Sequence, residues 1–254
     1  GADWYERAAL CGYPSSSGQS TIITNQYIEN IMDVYQFEDI NTNFGNGNYS
    51  SWMGNELENG CLYMNYRGYY GSSGFGSSNI NGANNGYMNP FAVFITCGTG
   101  DYNGTSLSED FIRAGNVSNP KGAVAMIGPS DLDTDTRFNN VMCGALWDEM
   151  LEDRIYELGP ALHMGKQSVA EEFEGLYISG ANIGEFYHHV YGVIGDPSLS
   201  VWLKEPGTMS INIEEGDTLS NSFLNIIVQD SENDSYLQDV IGVVAINGVG
   251  MSKL

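Results

Sequence analysis

Residues 89–100 read Asn89-Pro90-Phe91-Ala92-Val93-Phe94-Ile95-Thr96-Cys97-Gly98-Thr99-Gly100. Phe91–Thr96 is apolar or β-branched throughout, with no alternation, so a strand here buries both of its faces, as strands of parallel sheets do. A proline opens it and a glycine closes it. Ala123-Val124-Ala125-Met126-Ile127 repeats the pattern and stops at Gly128-Pro129. Cys61-Leu62-Tyr63-Met64-Asn65-Tyr66 is a third such segment, running into Gly68, Gly71, Gly74 and Gly76.

Between these runs the spacing becomes helical. Ile23, Tyr27, Ile31 and Tyr35 predict an amphipathic helix over 22–36, followed by a loop rich in Asn and Gly. Phe138–Tyr156, Ser168–Phe173 and Ile183–Tyr191 are further helices, and Leu199–Trp202 is the expected last strand of the sheet. Strands buried on both faces and separated by helices imply parallel βα units with helices on either side. After Lys204-Glu205-Pro206-Gly207 the pattern alternates, at Met209/Ile211/Ile213, Phe223–Val228 and Val240–Ile246 with an Asn247-Gly248 turn, which is antiparallel β structure. The expected division is therefore an α/β domain over 1–204 and, over 205–254, the start of an immunoglobulin-like sandwich or a small incomplete one.

The 254 residues carry 9 basic and 32 acidic side chains, a net charge of −23. A chain this acidic repels nucleic acid and anionic membrane surfaces, whose binding depends on Lys and Arg. No apolar run is long enough to span a bilayer. The N-terminal Gly1-Ala2-Asp3-Trp4 is expected to follow a removed signal or to lie inside a longer protein. Cys11, Cys61, Cys97 and Cys143 lack the paired spacing of a structural zinc site. Cys61 and Cys97, at opposite ends of neighbouring strands, are not expected to pair.

Ligands of open parallel sheets bind at the carboxyl ends of the strands, which singles out the segments after Tyr66 and after Thr96. Cys97 at a strand end, followed by glycine amides, suits a nucleophile with an oxyanion site, and equally a small residue closing a buried strand.

A series of segments in order tips that balance: Asp3-Trp4-Tyr5-Glu6-Arg7-Ala8, Asn65-Tyr66-Arg67-Gly68, Asn89-Pro90-Phe91, Thr96-Cys97-x-x-Gly100, Ser108-Glu109-Asp110-Phe111, Lys121–Gly128, Thr136-Arg137-Phe138-Asn139-Asn140 and Gly195-Asp196-Pro197-Ser198-Leu199. Together they resemble the gingipain-like cysteine peptidases of family C25, clan-mates of the caspases. The resemblance implies a caspase-like three-layer α/β/α sandwich followed by an immunoglobulin-like domain, with Cys97 at the nucleophile position. It also implies export to the cell surface or outside of a bacterium, and protein or peptide partners.

Active members end the neighbouring strand Asn-Tyr-x-Gly-His-Gly, with the histidine as general acid and base. This chain has Asn65-Tyr66-Arg67-Gly68-Tyr69-Tyr70-Gly71, so Tyr69, or Tyr70 if the loop is one residue longer, stands at the histidine position. A phenol ionises too high to take a thiol proton at neutral pH. Two hypotheses follow. One is a working or weakly working cysteine endopeptidase using Cys97, with oxyanion donors around Gly68, Tyr69, Tyr70 and Cys97. The other is a pseudopeptidase serving as a surface, adhesive or structural module, with homo-oligomers or surface assemblies among its forms; the aromatic loop Tyr69–Gly76 favours it.

His188 or His189 is the fallback base, while His163 reads as a helix-start or surface residue. Asp131, Asp133 and Asp135 do not match an EF-hand, which needs Gly and Glu where this run has Thr136 and Met142. An irregular calcium site there and a solvated acidic loop are both open; no other cofactor is called for. Asp230, Glu232, Asn233 and Asp234 read as an exposed turn.

Overall fold

The computed structural model describes residues 3–34, 37, 39–202, 207–213, 226–237, 243–246 and 249–253. The chain divides into two compact units, Gly1–Glu205 and Pro206–Leu254.

The first unit is built on a six-stranded sheet: β1 Arg7–Gly12, β2 Asp39–Phe44, β3 Tyr63–Arg67, β4 Phe91–Ile95, β5 Ala125–Pro129 and β6 Tyr191–Ile194. Their order across the sheet is β6-β5-β4-β3-β1-β2. Neighbours are parallel except β6, which runs antiparallel to β5 with Tyr191 opposite Pro129. The helices are α1 Ser20–Val34, α2 Tyr49–Asn59, α3 Ser77–Gly82, α4 Leu107–Arg113, α5 Thr136–Leu151, α6 Leu158–Glu172 and α7 Ile183–Val190.

Strand side chains alternate between faces, so the continuous apolar run splits into two cores. Phe91, Val93 and Ile95 join Leu10, Tyr63 and Ile127 beneath α1, α5, α6 and α7. Ala92 and Phe94 join Met64, Tyr66 and Met126 beneath α2, α3 and α4. Each fully buried large apolar side chain contributes about 1.5–3 kcal/mol, and with both faces covered the unit is an α/β/α sandwich.

Several boundaries differ from expectation. The Asn- and Gly-rich stretch after α1 holds β2 and α2 rather than a loop alone; Tyr35 and Gln36 of the expected first helix lie outside the described residues. The last sheet strand is β6, not Leu199–Trp202. That segment follows Pro197 and crosses near the amino ends of the strands, where Leu158 N donates to Leu199 O, Val201 N to Tyr156 O, and the Tyr63 hydroxyl to Trp202 O.

In the second unit, β7 Met209–Ile213 pairs antiparallel with β8 Ile226–Asp230, and β9 Val243–Ile246 with β10 Val249–Lys253. Residues 223–225 and 240–242, and the Asn247-Gly248 turn, lie outside the described residues. The Asp230–Asp234 turn is exposed apart from Asp230 and closed by its own Asp230 and Asn233 side chains.

Candidate active site

β3 and β4 run side by side with Tyr66 opposite Phe94 and Arg67 opposite Ile95. The chain leaving β3 as Gly68-Tyr69-Tyr70 and the chain leaving β4 as Thr96-Cys97-Gly98 therefore emerge together at the carboxyl edge. They enclose an open cleft of about 240 Å3 lined by Tyr70, Ser72, Phe75, Cys97, Leu107 and Asp110, among others. Tyr70 is 58% exposed and its ring stands over Gly98; Tyr69, 50% exposed, is not part of the lining.

The turn after β4 is rigidly held. Thr99 Oγ1 donates to Phe94 O at 2.8 Å, and the Ser108 amide and hydroxyl both donate to Thr99 O. Gly100 has no room for a side chain: a β-carbon there would lie 2.8 Å from Gly128 O. The Gly98 and Gly100 amides donate to Asp131 O and Pro129 O, at 2.9 and 2.8 Å. These glycine amides shape the turn and are not free to bind an oxyanion. The Cys97 amide has no partner among the described residues.

Cys97 is half-buried. Its sulfur lies 3.4 Å from the Thr134 carbonyl oxygen, to which a thiol donates, and 3.4 Å from Thr134 Oγ1. Asn139 Nδ2 donates to that same Oγ1 at 3.3 Å, while Asn139 Oδ1 accepts from the Tyr187 and Tyr191 hydroxyls at 2.9 and 2.6 Å. No imidazole is among the sulfur's partners. His188 donates from Nδ1 to Gly184 O and meets the His163 ring edge-on at 5.5 Å, against α6. His189 is exposed with Glu185 as neighbour. The three histidines are engaged on α6 and α7, away from the sulfur's hydrogen bonds.

Beneath the cleft Arg67 is completely buried. Its guanidinium donates from Nη1 to Ile95 O and Gly68 O, from Nη2 to Thr136 O and Asn140 Oδ1, and from Nε to Asn140 Oδ1. All five donors are used, and among the described residues none of them meets a carboxylate. Burial pulls its pKa down, yet the carbonyl dipoles keep the cation paired. Arg67 thereby ties the ends of β3 and β4 to the start of α5.

The acidic run is not gathered into a ligand set. Asp131 Oδ1 accepts the Asp133 amide at 2.7 Å, and Asp135 caps α5 by accepting the Arg137 amide at 2.9 Å. Among the described residues no three His, Cys, Asp or Glu side chains converge as a metal site would require. All four cysteines are free thiols, and burial pushes Cys11 and Cys143 up to about 12 and raises Cys61.

Sequence reasoning missed Thr134 as a sulfur partner and the supporting roles of Arg67 and Asn139. Polar residues predict burial only once their partners are known, and no local pattern marked Thr134 or Asn139 as buried.

A parallel α/β/α sandwich with a cysteine at the carboxyl edge, beside the loop of the neighbouring strand, defines a cysteine-peptidase type of architecture. The chain belongs to peptidase family C25, whose model matches residues 1–202. It is 25% identical over 224 residues to gingipain R2 of Porphyromonas gingivalis, covering 80% of this chain and 29% of that protein. It is 24% identical over 239 residues to gingipain R1 of the same species, covering 86% and 23%. The chain thus spans less than a third of these relatives. Among solved structures, the complex of P. gingivalis RgpB pro- and mature domains superposes with a TM-score of 0.80 at 21% identity, over 99% of this chain and 60% of that one. The Arg-specific cysteine proteinase gingipain R gives 0.72 at 22% identity, over 89% and 54%. These structural likenesses establish the fold.

Proposed function

We propose that this is a gingipain-like C25 domain whose peptidase machinery is impaired by tyrosine at the histidine position, and that it acts outside the cell as a surface, adhesive or structural module. The observation that carries this is the surroundings of Cys97: among the described residues its sulfur's hydrogen bonds go to Thr134 alone, and a tyrosine ring lines the cleft where relatives of the resembled family have glycine. General acid–base catalysis contributes about 10²–10⁴-fold, and nucleophile activation adds to it. An extracellular or cell-surface location follows from the resemblance and suits the acidic composition. Exposed Tyr69 and Tyr70 are suited to a protein partner, for which the pro- and mature-domain complex of the solved relative offers a precedent on this fold. The 206–254 unit is taken as the beginning of an immunoglobulin-like module.

The test is incubation of the purified protein with peptidyl chloromethylketones and fluorogenic peptides at neutral pH. No labelling and no turnover is the expected result. Rapid turnover that disappears in Cys97→Ala would establish the rival reading, an active cysteine endopeptidase.

A further inference from the structure

The hydrogen bonds behind Cys97 have a direction, and it is set at their far end. Tyr191 is 2% exposed, and Asn139 is the sole partner of its hydroxyl among the described residues. Burial raises the pKa of Tyr187 and Tyr191, so both phenols keep their protons. The Tyr191 proton needs an acceptor, which makes the Asn139 atom facing it Oδ1. The Tyr187 hydroxyl receives the Asp135 amide at 3.1 Å and has two acceptors for its one proton, the same Oδ1 at 2.9 Å and Asp135 O at 3.2 Å. Asn139 therefore turns its NH2 toward Thr134. An NH2 group only donates, so Thr134 Oγ1 accepts, and its own single proton is left for Cys97 Sγ. Flipping the amide would strand the Tyr191 proton in a buried site, at a cost of about 1–3 kcal/mol.

We propose that Thr134, oriented by Asn139 and Tyr191, is a positioning residue that aims a hydroxyl proton at Cys97 Sγ and stabilises its thiolate, so that the thiol keeps a reactivity toward small alkylating agents, though not peptide-like probes, independent of any imidazole. The proposal rests on Cys97 occupying the nucleophile position. A hydrogen bond to a charged acceptor is stronger than one to a neutral acceptor, so the hydroxyl favours the ionised, nucleophilic sulfur and works against the Thr134 carbonyl, to which only the thiol donates.

The experiment is alkylation of the folded protein by iodoacetamide across about pH 6–9, with Cys97 followed by mass spectrometry. The other three cysteines are buried and serve as internal controls. Thr134→Val removes the donor and keeps the shape; it should react about tenfold more slowly at pH 7, the scale of one charge-assisted hydrogen bond, with its rate profile displaced to higher pH. Thr134→Ser should react as the parent does. Tyr191→Phe, at a residue with no hydrogen bond to the sulfur, leaves the amide held only by Tyr187, which has Asp135 O as a second acceptor, and should also slow the reaction; it keeps the test available if Thr134→Val does not fold. Folded Thr134→Val or Tyr191→Phe with the parent's rate and pH profile would overturn the proposal, as would Thr134→Ser as slow as Thr134→Val. The peptide probes that test impairment are a separate readout, so the two readings fail independently.

Discussion

A β-carbon placed on Gly68 would lie 2.3 Å from the hydroxyl of Tyr66, two residues earlier on the same chain. That hydroxyl donates to Tyr69 O at 3.2 Å and shares a 2.9 Å hydrogen bond with Ser73 Oγ, so the buried end of β3 holds the loop that follows it. Gly68→Ala must push the Tyr66 ring out of this place. Overpacking of this kind costs about 1–3 kcal/mol; chemical denaturation should register that loss, and a parent-like midpoint would show that the ring yields freely.

Arg67→Met should be more damaging. It preserves a long apolar stem but leaves the carbonyls of Ile95, Gly68 and Thr136 and the Asn140 side chain without their donor. Each buried acceptor left without its donor costs about 1–3 kcal/mol. Arg67→Lys cannot reach all of these acceptors with one ammonium and should recover only part of the loss in the same denaturation experiment.

Stability should respond to pH through Glu56. Burial, and then the Asp39 carboxylate, raise its pKa, while Asn41 and Arg7 offset this only in part. A carboxyl with a raised folded-state pKa contributes stability below its unfolded pKa and loses it as pH rises through the folded value. At neutral pH its charge is therefore a burden. Glu56→Gln should melt about 1 °C higher at pH 7, a small effect because the site is partly exposed and screened. The difference should close as pH falls below the carboxylate range; a gain that persists in acid would point to packing instead.

Asp135 serves as the N-cap of α5, so Asp135→Ala should cost about 1 kcal/mol. Because the carboxylates of Asp131, Asp133 and Asp135 do not converge, the melting temperature should be the same in calcium and in excess chelator. A lower melting temperature in chelator would reveal a metal bound elsewhere or through a rearranged loop.

How far the fold was legible depended on side-chain character. β3, β4 and β5 announce themselves because burial on both faces demands continuous apolar residues. β1 is just as central, yet Ala8-Ala9-Leu10-Cys11-Gly12 is made of small residues with little β preference, and it becomes a strand only because β2 and β3 pair on either side of it. β2, an edge strand reading Asp39-Ile40-Asn41-Thr42-Asn43-Phe44, looks like a loop for the opposite reason: it is mostly half-exposed and polar. Pro160 hid the start of α6, although proline fits the first turn of a helix, where its missing N–H is not needed. At the site, the strand ends carrying Gly68–Tyr70 and Cys97 followed from the apolar runs. Thr134 did not, because its contact with sulfur depends on the path of the 130–135 loop between β5 and α5, which no local pattern encodes.

The last prediction separates the two tyrosines after β3. Tyr70 lines the Cys97 cleft and Tyr69 does not, so, with Tyr69 at the proposed histidine position, the residue to be restored and the one that crowds the cysteine are different. Tyr69→His alone would supply an imidazole kept outside the cleft by the Tyr70 ring beside Gly98, and Tyr70→Gly alone would open the cleft without supplying a base. The φ of Tyr70 is not positive, so glycine there is wanted for space and not for backbone conformation. The double change Tyr69→His with Tyr70→Gly should raise chloromethylketone labelling at Cys97 by about a hundredfold or more, the lower range of general acid–base assistance. Each single variant should stay near the parent. Labelling restored by Tyr70→Gly alone would show that steric blockade, and not the missing imidazole, is what silences Cys97.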